Sequence, residues 1–239
     1  MIKLFTSQWI GSIQTLLFIG ILALASIIFQ GIFLVAEHKK QYVCATFLKG
    51  CASLCFVIIG MLGFFYAGTS FALKIFIGLI FGMLGDIFLN MRFVSKNSGS
   101  KFFLAGIVFF LIGHVLYLSA IIPHAENLWL CIAIGSIISL ALLIYFFKAM
   151  NAKSVFKIIG IFYLGAVIIM TTIALGIAIN IPQPKNLLYA IGAVFFTLSD
   201  IILILNTFSG VTKYWMRITN LLLYYIGQIL IAVSLFFKF

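Results

Sequence analysis

Residues 9–34, WIGSIQTLLFIGILALASIIFQGIFL, contain no charged side chain. A helix needs about 20 such residues to cross the hydrocarbon core of a bilayer. Further runs of this kind follow at about 42–66, 71–91, 102–122, 127–147, 155–180, 187–208 and 215–237. Their apolar character is continuous rather than alternating, which predicts helices in preference to a transmembrane barrel. Joined by short loops, these eight spans leave no space for a soluble domain in a chain of 239 residues. Composition demands the same reading. The chain is 65% hydrophobic and 8% charged, whereas roughly a quarter of a soluble domain is charged. The first run contains Ala23-Leu24-Ala25, which looks like a signal-peptidase site, but the apolar stretch continues to Ala36. A retained span is therefore expected rather than a cleaved signal.

Charge sets the expected topology. Ten of the 15 basic residues fall on the odd-numbered loops: Lys39 and Lys40, then Arg92, Lys96 and Lys101, then Lys148, Lys153 and Lys157, then Lys213 and Arg217. Lys3, Lys74, Lys185 and Lys238 lie toward the other side, and Lys49 lies inside a span. By the positive-inside rule, the odd loops are cytoplasmic and both termini are not. No soluble reader fold accompanies the net charge of +11, so nucleic acid is not an expected partner. Cys44, Cys51, Cys55 and Cys131 lack the paired spacing of a metal site and are expected as free thiols. His38 and His124 fall in loops on opposite sides, leaving only His114 in a span. No metal or other cofactor is expected from that pattern, nor a GxSxG nucleophile. Trp9, Trp129 and Trp215 sit near span ends, as interfacial anchors do.

The chain also matches itself. Residues 73–89, LKIFIGLIFGMLGDIFL, align with 187–203, LLYAIGAVFFTLSDIIL, at an offset of 187 − 73 = 114. Eight of seventeen positions are identical, from Leu73/Leu187 through Asp86/Asp200 to Leu89/Leu203, where composition alone gives about two. The same offset aligns IGHVL (112–116) with IGQIL (226–230) and places Lys49 opposite Tyr163. A repeat of four spans returns the chain to its starting side, so the halves share one orientation about an axis along the membrane normal. The expected fold is an all-α membrane protein of eight transmembrane helices. It forms a single transmembrane domain over 1–239, with two parallel repeats at about 9–122 and 127–237 around a central polar cavity.

Only four residues are acidic, Glu37, Asp86, Glu126 and Asp200, and two of them lie within spans. A carboxylate at membrane depth is costly unless paired or solvated, which marks Asp86 and Asp200 as functional candidates. At the helical rise, they lie about 9 Å and about 13 Å inside the cytoplasmic ends of their helices. Lys49, Tyr163 and Tyr225 lie within roughly two to three turns of that side, with His114 and Gln228 deeper. One polar cavity opening to the cytoplasmic side is the expectation. Gly78, Gly82, Asp86 and Asn90 share one helix face at four-residue spacing, and small residues there let another backbone approach. Ser199 adjoins Asp200, and Thr197 lies one turn before it. Plainer roles stand beside these: Lys49 as a structural counter-ion, and His114 as an interhelical hydrogen-bonding group.

GLIFGMLGDIFL (78–89), FFLAGIVFFLIGHVLY (102–117), GAVFFTLSDIILILNTF (192–208) and YYIGQILIAVS (224–234) together resemble the YhhN family, from about Lys49 to Ser234. That family includes the lysoplasmalogenases, multispanning enzymes that hydrolyse the vinyl-ether bond of lysoplasmalogens. This chain has Lys49-Gly50 where the family usually has Lys-Pro, which removes a possible helix kink. The resemblance implies a lysophospholipid substrate held in the membrane and cleaved to a fatty aldehyde and a glycerophospho-alcohol. It also implies an integral multi-pass protein of a bacterial inner or plasma membrane.

A vinyl ether hydrolyses by protonation at carbon, giving an oxocarbenium-like cation that water captures. That needs one protonated carboxyl and one carboxylate, a division that burial and mutual repulsion supply and that glycosidases also use. Asp86 and Asp200 take these roles, and the sequence does not distinguish which is the acid. Lys49, Asn90, His114, Tyr117, Tyr163, Ser199, Tyr225 and Gln228 are the residues expected to position water or the glycerol backbone. Arg92 or Lys148 at the rim is expected to receive the phosphate. The main alternative is a proton-coupled transporter of a small molecule or lipid that uses the same aspartates. Its typical midplane helix breaks find no support in Pro123, Pro182 and Pro184, which lie at span ends. A metal-dependent hydrolase resembling ceramidases and a non-catalytic scaffold are further alternatives.

Overall fold

A computed structural model describes residues 12–95, 97–149, 154–208 and 212–237. Lys3, Trp9, Lys96, Lys153 and Lys238 lie outside these, as does the side chain of Lys157. Helix α1 (Ile13–His38) opens on Ser12, whose hydroxyl accepts the Thr15 amide at 3.1 Å, pairing one N–H that the helix itself leaves unbonded. α2 (Tyr42–Ala67) stops at Gly68, with φ 63°, a left-handed cap that suits a residue without Cβ. Thr69 then caps α3 (Ser70–Val94) by accepting the Ala72 amide at 3.2 Å. α4 (Gly99–Ile121) runs into a 3-10 turn, Ile122–His124. After α5 (Leu128–Ala149) and α6 (Ser154–Asn180), α7 (Pro184–Phe208) starts on a proline, whose missing N–H is harmless in a first turn. α8 (Tyr214–Ser234) closes the order.

These eight helices contain apolar spans of 21 to 26 residues, each long enough to cross a bilayer. The protein is an integral multi-pass membrane protein. The expected spans and the helices differ chiefly at their ends. α1 begins at its Ser12 cap and runs to His38, four residues beyond the expected 34. α3 continues to Val94 past the expected 91. Trp129, Ile13 and Ile179 are 81%, 79% and 76% exposed, part of an outward apolar surface too extensive for water and suited to acyl chains. The four cysteines are free thiols.

Most sequential helices pack together, and further contacts join distant ones: α2 meets α8 and α4 meets α6, while α1 and α3 touch α8 more lightly. The cycle α2–α3–α4–α6–α7–α8 therefore closes, while α1 packs outside on α2 and α5 outside on α6. Glycines permit the closest approaches. A Cβ on Gly192 would stand 2.7 Å from the Gly227 carbonyl oxygen, and one on Gly227 would stand 2.8 Å from that of Gly192. Gly78 and Gly113 are related in the same reciprocal way, at 3.2 and 3.1 Å, and 192 − 78 = 227 − 113 = 114.

Gly192→Ala must push α7 from α8, since the obstacle is backbone that cannot rotate away. It is expected to cost about 1–3 kcal/mol, as overpacking does, read as a lower melting temperature in detergent. Gly160 has open space around it, and Gly160→Ala is expected to be neutral or stabilising by up to about 1 kcal/mol. Equal melting temperatures for the two variants would dismiss the close-packing account.

Candidate active site

Asp86 and Asp200 each lie eight residues before the end of their helix (94 − 86 = 208 − 200 = 8), about 12 Å along the axis. They are 2% and 3% exposed, so each needs a partner to offset lost hydration. Lys49 on α2 supplies one, with Nζ 3.0 Å from Asp86 Oδ1. One turn on, Ser53 donates to Asp86 Oδ2 at 2.6 Å. The Ser53 oxygen also lies 3.0 Å from the Tyr225 hydroxyl and 3.0 Å from the Lys49 carbonyl oxygen. A hydroxyl has one proton, and the charge-assisted bond to the carboxylate is the stronger use of it. Tyr225 then donates, to Ser53 Oγ or to the Lys49 carbonyl oxygen at 3.3 Å.

Asp200 is held differently. The Tyr163 hydroxyl on α6 donates to its Oδ2 at 2.5 Å, and among the described residues it has no ion-pair partner. Tyr163 follows Lys49 by the same interval that separates the aspartates (163 − 49 = 200 − 86 = 114). Neighbouring Ser199 is fixed by Asn220, whose Nδ2 donates to Ser199 Oγ at 2.7 Å and to its carbonyl oxygen at 2.8 Å. Thr197 turns to Thr171, with their hydroxyls 2.6 Å apart. One carboxyl thus sits beside a cation and the other beside a phenol.

Lys49, Asp86, Ser199, Asp200, Arg217 and Tyr224 line one pocket of about 20 Å³, enough for about one water. Two clefts adjoin it. The first, about 490 Å³, shares Arg92, Leu203 and Arg217 with the pocket and is also lined by Lys213. There Arg217 grips Glu37 with two hydrogen bonds, Nε to Oε2 at 3.1 Å and Nη2 to Oε1 at 2.7 Å, tying α8 to α1. The Arg92 guanidinium lies 4.5 Å from the Phe93 ring centre and 4.8 Å from that of Phe103. The second cleft, about 90 Å³ and largely apolar, shares Leu89, Phe110 and Leu203 with the pocket and includes Phe146, Tyr163 and Leu164. Leu203 borders all three spaces.

The other residues singled out in the sequence fall at varying distances from this pocket. His114 engages its own helix through Nδ1, 2.7 Å from the Phe110 carbonyl oxygen. Its Nε2 is buried with no hydrogen-bond partner among the described residues. The imidazole is edge-on to Phe196 at 4.6 Å and to Tyr163 at 5.5 Å. Tyr117 and Gln228 bond to each other, O–H to Oε1 at 3.0 Å, and neither lines the aspartate pocket. Asn90 donates to Thr46 Oγ1 at 2.9 Å. Lys148, exposed near the end of α5, lines neither the pocket nor its clefts.

Three residues that sequence reasoning passed over matter here: Ser53, Asn220 and Arg217, the last counted only toward topology. Ser53 carries a signal, standing four residues from Lys49 on one face. Among the described residues, no three His, Cys, Asp or Glu side chains gather as a metal site.

A closed helical cycle with two buried carboxyls beside one small pocket defines a multi-span membrane protein with an intramembrane acid pair. The model of the YhhN family matches residues 44–235, and the chain belongs to the YhhN family. No curated protein and no solved structure gives a significant match.

Proposed function

We propose that this protein is an intramembrane hydrolase that cleaves the vinyl-ether bond of lysoplasmalogens to a fatty aldehyde and a glycerophospho-alcohol. The observation that carries the reading is the unequal company of the two carboxyls, Asp86 with Lys49 at 3.0 Å and Asp200 with the Tyr163 hydroxyl at 2.5 Å. Asp200 delivers its proton to the vinyl carbon distal to the ether oxygen, leaving an oxocarbenium-like cation. Asp86, its charge kept by Lys49, stabilises that cation and takes a proton from the water that attacks it. The hemiacetal then collapses to the aldehyde: its hydroxyl proton returns to Asp200, and Asp86 gives the proton it took from water to the departing glycerol oxygen, which leaves as the glycerophospho-alcohol. One water is consumed overall.

The surroundings suit such a substrate. The apolar cleft beside Tyr163 fits an alkenyl chain, and the cleft bearing Arg92, Lys213 and Arg217 fits a phosphate. The two converge on the carboxyls at Leu203. Because the pocket between them holds about one water, side chains must part for the ether to enter. The contacts that recur at an interval of 114 support a chain built as two parallel four-helix repeats, with one carboxyl from each. The alternative of a transporter is disfavoured by α3 and α7, each an unbroken helix through its aspartate.

The test is turnover by the purified protein in detergent against a panel of vinyl-ether and ester lysolipids. Fatty aldehyde from the vinyl-ether members alone is the expected result, and uptake into proteoliposomes without lipid turnover would replace this reading with the transporter. Arg217→Gln is expected to raise KM for the lysolipid about tenfold, the scale of one lost charged hydrogen bond, with a smaller change in kcat. An unchanged KM would remove Arg217 from the phosphate cleft.

A further inference from the structure

Lys185 lies fifteen residues before Asp200 on α7 (200 − 185 = 15), about 22 Å away along the axis, and the carboxyl pair gives it no purpose. A lysine at the start of a spanning helix ordinarily extends its ammonium to water. Lys185 is instead 3% exposed, with its ammonium 3.9 Å from the centre of the Phe71 ring. It lines a cavity of about 350 Å³, within the size range of small-ligand sites. Tyr189, one turn further along α7, lines the same cavity. Its hydroxyl is buried and has no hydrogen-bond partner among the described residues, a costly state unless a ligand or solvent completes it. Asn186, whose Nδ2 donates to the Ile181 carbonyl oxygen at 2.9 Å, also lines the cavity. Glu126 and His124 stand exposed at the rim.

The matching place in the other half of the chain is plugged. Ile121 and Ile177 wall the cavity; the positions 114 away are Leu235 and Gly63 (121 + 114 = 235; 177 − 114 = 63). There Leu235 packs so closely that a Cβ on Gly63 would stand 2.6 Å from its Cβ, and Leu235 and Phe236 are 1% and 0% exposed. The cavity is therefore not a general consequence of this packing, because the corresponding helix ends close over Leu235 and Phe236.

We propose that this cavity is a second ligand site, at the end of the bundle opposite the aspartates, for a zwitterionic headgroup of the phosphoethanolamine type. The phosphate takes the Lys185 ammonium and the Tyr189 hydroxyl proton, helped by the positive N-terminal end of α7. The ligand's amine takes the Glu126 carboxylate. A simple anion would leave that carboxylate facing like charge, and a simple cation would face Lys185. The headgroup can come from a lipid of that leaflet or from a soluble phosphoethanolamine ester. The site does not depend on the chemistry assigned to Asp86 and Asp200.

Native mass spectrometry of the full chain in detergent tests this. The probes are dihexanoyl phosphatidylethanolamine, the phosphatidylglycerol of the same chain length, O-phosphoethanolamine and inorganic phosphate. The expected result is one saturable ethanolamine-lipid adduct that persists in Asp200→Asn. Lys185→Met and Glu126→Gln should each weaken it at least tenfold, and the isosteric Tyr189→Phe several-fold. Competition by O-phosphoethanolamine identifies a soluble ester as a sufficient ligand, and its failure to compete assigns the ligand to the leaflet. No saturable adduct, equal binding of phosphatidylglycerol or inorganic phosphate, or an adduct indifferent to both Lys185→Met and Tyr189→Phe would overturn the proposal.

Discussion

Asp200→Asn is expected to give a folded protein whose aldehyde release is slower by about 10²–10⁴-fold, the range a positioned general acid supplies. The fold should survive because the partner of Asp200 is a neutral hydroxyl. Tyr163 donates to Oδ2 at 2.5 Å, and the oxygen of an asparagine amide accepts the same bond. No cation is stranded, and Ser199 remains fixed by Asn220 at 2.7 and 2.8 Å. What the amide lacks is a proton acidic enough to reach a vinyl carbon. The loss should therefore fall on kcat, with KM for the lysolipid little changed. Tyr163→Phe, which removes one hydrogen bond and leaves the acid in place, is expected to lose only about tenfold. Full turnover in Asp200→Asn would sink the assignment of this carboxyl as the acid.

Lys49→Met is expected to act first on stability, costing about 3–5 kcal/mol, as when one member of a buried ion pair is removed. The side chains of Lys49 and Asp86 are 5% and 3% exposed, so solvent cannot replace the lost cation. The Ser53 bond to Oδ2, at 2.6 Å, compensates only in part. The double variant Lys49→Met/Asp86→Asn is expected to regain most of that stability, because no charge is left uncompensated, while remaining inactive. Unfolding followed in detergent for the two single variants and the double variant gives the coupling directly. If Lys49→Met alone melts with the parent protein, the ion pair is not the buried contact described here. The two expectations differ in kind: one aspartate can lose its acidic proton without harm to the fold, and the other cannot lose its partner.

Much of this was legible in the sequence, and the illegible part has identifiable causes. Span lengths follow from apolar runs, because the bilayer sets how much chain a helix needs. Helix ends are less plain, since Ser12 and Thr69 act as caps through hydroxyl geometry that composition does not reveal. The interval that sets Tyr163 opposite Lys49 is written in the alignment, but that each residue bonds the aspartate nearest it required the packing of α2 on α3 and of α6 on α7. Ser53 shows the limit well. A serine within a spanning helix commonly bonds its own backbone, and its oxygen is indeed 3.0 Å from the Lys49 carbonyl oxygen. Only the neighbouring helix reveals Asp86 on its other side. The rim cations differ for a similar reason. Arg217 turns inward because α8 belongs to the closed cycle, whereas Lys148 sits on α5, outside it. Which basic residue faces a pocket is a tertiary fact, and the positive-inside count is blind to it.

On the two-repeat reading, the exchange of lysine for tyrosine at positions 49 and 163 has a further meaning. A half-length ancestor would have had to assemble as a symmetric dimer, and symmetry would give both of its aspartates identical neighbours. Two carboxyls in identical surroundings are equally able to carry a shared proton, so neither is fixed as the acid. Covalent fusion of the halves lifts that restriction, because each copy can then change alone. The exchange that leaves a lysine facing Asp86 and a tyrosine facing Asp200 is one step by which equal acids become unequal ones.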